Sequence, residues 1–103
     1  MLDQVLAAIE HVESRGNPAV VSRDGCVGLM QVNPKWSKYT KAQLLDPATN
    51  RAEGRRLFLY WHHKAHYHWA FSIAAYRCGW GGLTGKCGTG YAKHVCKIAR
   101  CER

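Results

Sequence analysis

The sequence predicts an α+β fold, predominantly α with a minor β element, in a single domain over residues 1–103. Three observations carry this. Apolar residues recur at helical spacing through residues 2–14, Asp46-Pro47 opens a second long helical stretch, and the one β-like run, Cys26–Val32, is short. Hydrophobic content of 47%, with four Trp, five Tyr and two Phe, argues for a folded globule. A chain of this size should bury roughly 65% of the surface it exposes when unfolded.

In the first helix, Leu2, Val5, Leu6, Ile9 and Val12 form the apolar stripe, and Gly16, Asn17 and Pro18 end it. Val20-Val21-Ser22, the Asp24-Gly25 turn and Cys26–Val32 read as a small hairpin. Asn33-Pro34 breaks it, and 35–46 reads as loop with one helical turn over Lys41–Leu45. From Asp46, with Asp as N-cap and Pro at the first helical position, a helix should run to about His66. Gly54, Leu57, Phe58, Trp61 and Ala65 form its buried stripe. Gly54 weakens that helix, so another element should pack closely against it. Trp69–Tyr76 reads as a short, nearly all-apolar central helix. A Gly-rich loop over Gly79–Gly90 and a last helix over about Tyr91–Arg100 complete the chain.

Net charge is +8, and no acid stands between Glu53 and Glu102, while Arg55, Arg56, Lys64, Arg77, Lys86, Lys93, Lys97 and Arg100 are basic. Such a field attracts polyanions without choosing among nucleic acid, membrane and cell-wall polymer. No helix-turn-helix, zinc-finger or RNA-binding signature accompanies it, so nucleic acid is not an expected partner. No stretch approaches a membrane span, so insertion is not expected. Leu2–Ile9 is interrupted by Asp3 and Gln4 and lacks a basic leader, unlike a signal peptide.

Cys26, Cys78, Cys87, Cys96 and Cys101 imply at least one disulfide with one cysteine left over. Spacing does not choose the pairing. It lacks the CxxC of a structural zinc site. His62, His63, His66 and His68 read as a solvated helix face; position 63 is His where HExxH needs Glu. No metal or cofactor is expected. Tyr60, Trp61, Tyr67 and Trp69 read as core, whereas Trp36 and Trp80, beside loops, are candidates for stacking on a sugar.

Glu13 is either a solvated residue in the last turn of a helix that ends at Gly16 or an acid placed for chemistry. At ~100° per residue it points about 45° from the centre of the first helix's apolar stripe, against about 105° for Glu10. A carboxyl losing hydration there has its pKa raised, as a general acid near neutral pH requires. Three further segments bear on it: Gly28-Leu29-Met30-Gln31-Val32, with an amide inside an apolar run; Ala74-Ala75-Tyr76; and Gly90-Tyr91.

Taken in order with Ile9–Pro18 and its Glu13-Ser14, then Ala19–Ser22, Gly25, Pro34, Asp46-Pro47, Asn50, Gly54, Gly79 and Tyr91 through Val95, these segments resemble the soluble lytic transglycosylases. Those are the lysozyme-like enzymes that cut bacterial peptidoglycan, and the resemblance covers nearly the whole chain. It implies a lysozyme-like fold, Glu13 as catalytic acid, and Ser14, Gln31, Tyr76 and Tyr91 lining a cleft with Met30 as an apolar wall. Ser14 would bond the glycan or cap the helix end. The family usually has Asn after Ala-Ala-Tyr; here Arg77 stands there, a donor that carries charge and suits stem-peptide carboxylates.

Most glycosidases use two carboxylates, but Asp3, Glu10, Asp24, Asp46, Glu53 and Glu102 lie in helix, turn or terminal contexts, none an obvious partner for Glu13. An N-acetylated sugar supplies its own nucleophile, so a single-Glu, substrate-assisted cleavage of the N-acetylmuramic acid–N-acetylglucosamine bond is implied, giving 1,6-anhydro ends. The partner is peptidoglycan glycan strands and the expected state a monomer. The expected place of action is the periplasm or cell wall, reached through phage lysis or virion machinery, a secretion system, or removal of a leader. Two alternatives stand beside this reading: a goose-type lysozyme using water, and a non-catalytic wall-binding or virion structural protein.

Overall fold

Six helices are present in the computed structural model, which describes residues 1–101: α1 Leu2–Ser14, α2 Lys41–Leu44, α3 Pro47–Lys64, α4 Trp69–Cys78, α5 Trp80–Leu83 and α6 Thr89–Ala99. Two compact units divide them, one of Met1–Ala8 and Arg56–Arg103, the other of Ile9–Arg55. Among the described residues no helix is long and apolar enough to cross a membrane. The fold is mostly helical, as the sequence predicts, and among the described residues its β content is two isolated antiparallel bridges, Val21 with Val27 and Val27 with Val32.

In the Ile9–Arg55 unit, the end of α1 is a chain of short-range bonds. Arg15 and Gly16 take positive φ, 54° and 79°, and Asn17 Oδ1 accepts from Ala19 N–H at 3.0 Å. The hairpin closes through Gly25, at φ 87°, whose N–H donates to Ser22 C=O. A 3₁₀ turn, Pro34–Trp36, precedes α2, and a Thr40–Gln43 capping box opens α2. Asp46 caps α3, its Oδ2 accepting from Thr49 N–H and Oγ1–H, both at 2.9 Å. The bond from the Thr49 backbone, foremost, holds its carboxyl below the usual range. Ile9, Val27, Leu29, Met30, Val32 and Leu44 are the buried apolar residues of this unit.

In the other unit, α4 packs on α5 and α6. Phe58, Ile73, Ala74, Ala75, Ala92 and Val95 are buried there. The pairing that spacing left open is Cys78–Cys87 and Cys96–Cys101, with Cys26 free. Within the expected Gly-rich loop stands α5, a short helix. It exists because Gly82 lies against the backbone of Ala74 and Ala75 in α4, where a Cβ has no room. α3 stops at Lys64, before the expected His66, because His66 and Tyr67 both adopt left-handed conformations, φ 52° and 63°.

His62 corrects the expected solvated face: it is buried, while His63, His66 and His68 are exposed. Its ring stacks on Trp69 at 4.3 Å and on Phe58 at 5.4 Å. Ser72 Oγ donates its one hydrogen to His68 C=O at 2.6 Å, so His62 Nδ1–H must donate to Ser72 Oγ, 2.7 Å away. Burial lowers the His62 pKa below 6.5. The unfolded chain therefore takes up this proton first. Stability attributable to His62 is present above pH ~6.5 and falls as pH drops through the lower folded value. Thermal midpoints compared at pH 7.5 and 5 should fall on acidification, and by less in His62→Gln, which cannot titrate. Tyr60 and Tyr67, expected in the core, are 46% and 63% exposed.

Candidate active site

Glu13 stands half-buried in the last turn of α1. Ser14, next to it, is 7% exposed and fully engaged locally: its Oγ donates to Glu10 C=O at 3.1 Å and accepts from Gly16 N–H at 3.2 Å. That is the helix-end role, and it fixes the turn that leaves Glu13. Glu10, on the neighbouring face, is clamped by Arg51, with Nε and Nη2 donating to its two carboxylate oxygens at 2.8 and 3.1 Å. The hydrogen bond and charge of Glu10 raise the Arg51 pKa.

The loop carrying Met30 and Gln31 is shaped by the first half of α3. Asn50, 0% exposed, bonds it from both ends of its amide. Oδ1 accepts from Met30 N–H at 2.7 Å, and Nδ2 donates to Val27 C=O at 2.7 Å and Leu44 C=O at 2.9 Å. One turn on, Glu53 is 2% exposed and accepts from Ser37 Oγ–H at 2.6 Å, and that Oγ accepts from Tyr39 N–H at 3.2 Å. Gly54 then seats the Met30 side chain. A Cβ there would lie 2.6 Å from Met30 Cβ and Cγ. Gly54→Ala should therefore destabilise the fold by about 1–3 kcal/mol through overpacking, outweighing a gain of ~1 kcal/mol in helix propensity. Urea denaturation midpoints measure this.

Gln31 holds φ 52°, a left-handed conformation. Its Nε2 donates to Val20 C=O at 3.1 Å and Gly28 C=O at 3.0 Å. Both amide hydrogens thus brace its own loop, and what the side chain offers a ligand is the acceptor Oε1.

In the other unit, Tyr76 is half-buried near the end of α4, its ring 6.4 Å from that of Phe58. Arg77 is exposed and its guanidinium lies 5.4 Å from the centre of the half-buried Tyr91 ring. Arg77 is thus aimed by an aromatic face at the start of α6. Residues 1–95 match the family model described as the transglycosylase SLT domain.

The chain belongs to the transglycosylase SLT domain family.

It is similar in structure to the 70 kDa soluble lytic transglycosylase of Escherichia coli, with a TM-score of 0.79 and 28% identity over 93% of this chain and 21% of that one. A 34-residue stretch, 33% of this chain, is 59% identical to the endo-type membrane-bound lytic murein transglycosylase A of two Klebsiella pneumoniae strains, covering 17% of each. The chain thus spans about a fifth of the length of these relatives.

In this SLT domain, Glu13, Ser14, Met30 and Gln31 belong to the Ile9–Arg55 unit, and Tyr76, Arg77 and Tyr91 to the other. Sequence reasoning missed Asn50 and Glu53 as parts of the buried face of α3. The signal was present: positions 50, 53, 54, 57 and 58 share one helical stripe, but the expected buried stripe begins at Gly54 and leaves the two polar members out. No group of three or more His, Cys, Asp or Glu side chains fit to hold a metal occurs among the described residues.

Proposed function

We propose that the chain is a peptidoglycan lytic transglycosylase in which Glu13 acts first as acid and then as base. The observation that carries this is Glu13 itself, a half-buried carboxyl on the last turn of α1, in a chain matching the transglycosylase SLT domain over residues 1–95. The match spans both units, which supports reading residues 1–103 as one catalytic domain, and the same reading takes it to act as a monomer.

Protonated Glu13 donates to the glycosidic oxygen between N-acetylmuramic acid and N-acetylglucosamine, and the C1–O bond breaks. The muramoyl acetamido oxygen attacks C1 and carries the positive charge. Glu13, now a carboxylate, takes the proton of the muramoyl 6-hydroxyl, whose oxygen displaces the acetamido oxygen from C1. A 1,6-anhydro ring closes, no water is consumed, and Glu13 is protonated again. Met30 supplies the apolar wall, Gln31 Oε1 accepts from a sugar hydroxyl or amide, and Tyr76 and Tyr91 hold glycan. Arg77 takes stem-peptide carboxylates. Ser14 positions the turn beside Glu13.

The other acids support a single-carboxylate reaction. Glu10 is paired with Arg51, Asp46 caps α3, and Glu53 holds Ser37. Asp3 and Asp24 are exposed, and Glu102 lies outside the described residues. The murein named for the relatives supports the cell wall as the place of action. A reducing-end assay tests the reading. Soluble muropeptides should appear without a matching rise in reducing ends, whereas a matching rise would make the enzyme a hydrolase. The +8 charge should steer it to the anionic wall, so the rate should fall as salt rises from 20 to 300 mM. A flat ionic-strength series would remove the steering.

A further inference from the structure

The C-terminal half of α3 and α5 place four side chains on one open surface that the mechanism does not use. Tyr60 and Trp80 are 46% and 62% exposed. Trp61, half-buried, stands edge-on to both, its ring centre 5.0 Å from that of Tyr60 and 5.4 Å from that of Trp80, at interplanar angles of 83° and 86°. Lys64 Nζ lies 5.5 Å from the Tyr60 ring centre and 5.9 Å from that of Trp80. Two exposed rings thus flank an exposed ammonium, with a third ring wedged behind them.

The backbone under Trp80 is fixed. Gly79, at φ 64°, ends α4 and turns against the Trp61 indole, where a Cβ would sit 3.8 Å away. The Cys78–Cys87 disulfide closes the segment that bears α5, and Gly82 is pressed on α4. A surface held this way loses little entropy when a ligand docks.

The parts define the ligand. An exposed indole face takes the C–H face of a pyranose, apolar on one side and polar at its rim. Lys64 adds a point charge for a carboxylate at that rim. The absence of any acid between Glu53 and Glu102 leaves no nearby carboxylate in sequence to compete. We propose that Tyr60, Trp61, Lys64 and Trp80 form an accessory platform for a carboxylated amino-sugar strand, one sugar stacking on Trp80 with its carboxylate paired to Lys64. The platform extends the murein reading by naming a second place where glycan is held, and it does not depend on the chemistry of Glu13.

The test is a titration of ¹⁵N-labelled Glu13→Gln protein, read at the indole N–H signals of Trp61 and Trp80. The probes are chitotetraose, which is neutral, and an N-acetylglucosamine–N-acetylmuramic acid tetrasaccharide with free lactyl carboxylates. Both indoles should shift with both sugars, more tightly with the carboxylated one. Lys64→Gln should weaken the carboxylated sugar about fivefold and leave chitotetraose unchanged. Trp80→Ala should abolish the Trp61 shift with either sugar. Indoles unmoved by both sugars would overturn the platform, as would Lys64→Gln weakening both sugars equally. Shifts seen only with phosphatidylglycerol vesicles would assign the surface to a membrane instead. Indole shifts in a protein whose wild type releases no muropeptides would leave the platform standing and remove the lytic reading; lysis without shifts would do the reverse.

Discussion

Glu13→Gln is expected to slow the release of soluble muropeptides by about 10²–10⁴-fold, the range that one positioned acid–base group contributes. Gln keeps the shape and part of the hydrogen-bonding capacity of Glu but can neither donate a proton to the glycosidic oxygen nor take one from the 6-hydroxyl. In the proposed reaction both halves pass through this one carboxyl, so no second group would cover the loss. The fold should be little affected, because the position is only half-buried and the turn beyond it is held by Ser14. Turbidity clearing of purified walls gives the rate, and a thermal melt gives the control. A variant that melts like wild type and still clears walls at a comparable rate would take Glu13 out of the mechanism.

The largest stability effect should come from Asn50→Ala. Three bonds, from Met30 N–H and to the carbonyls of Val27 and Leu44, end on one fully buried amide. Alanine removes all three bonds while Val27 C=O keeps the one from Val32 N–H, so at about 1 kcal/mol per buried bond lost, and more where a group is left unpaired, a loss of about 2–4 kcal/mol is expected. Asn50→Asp is no rescue, since a carboxylate keeps the bond from Met30 N–H but faces two carbonyl oxygens. Arg51→Ala, one residue on, removes a half-exposed ion pair and should cost under about 1 kcal/mol. Urea unfolding of the three variants measures the contrast. Activity should fall with Asn50→Ala as well, because the bonds it removes shape the loop of Met30 and Gln31.

The elements were legible where a local rule is strong. Helical spacing places α1 at Leu2–Ser14, and Asp46-Pro47 fixes the start of α3, with the Asp46 cap in place. A glycine inside a helix pointed to close packing, and Met30 is what packs there. Tertiary bonding was not legible. Asn50, Glu53 and His62 look solvated in a one-dimensional pattern because periodicity counts apolar residues, whereas burial follows whether a polar group finds partners. His62 finds Ser72 ten residues on, and Asn50 finds Val27 and Met30 far back in the chain. Two glycines inside α5 hide a helix that exists for close approach to α4. The disulfide pairing depended on which ends α4, α5 and α6 bring together, and spacing holds no record of that.

Of the site, the residue types were readable and their neighbours were not. Gln31 was expected to line the cleft, and what the sequence does not show is that both its amide hydrogens hold the loop. Arg77, the departure from the usual Asn, lies over Tyr91. Its charge is therefore presented from a stacked position, and a side chain of the same charge without a planar group would not stack in the same way.

The most direct measurement is mass spectrometry of muropeptides released from purified peptidoglycan by wild type and by Glu13→Gln. Fragments ending in 1,6-anhydro-muramic acid, lighter by one water than reducing ends and absent with the variant, are the result predicted here. Reducing ends in place of anhydro ends would contradict the transglycosylase outcome and leave Glu13 serving a hydrolase. Equal products from both proteins, or none from either across salt and pH, would contradict Glu13 as the catalytic acid and base.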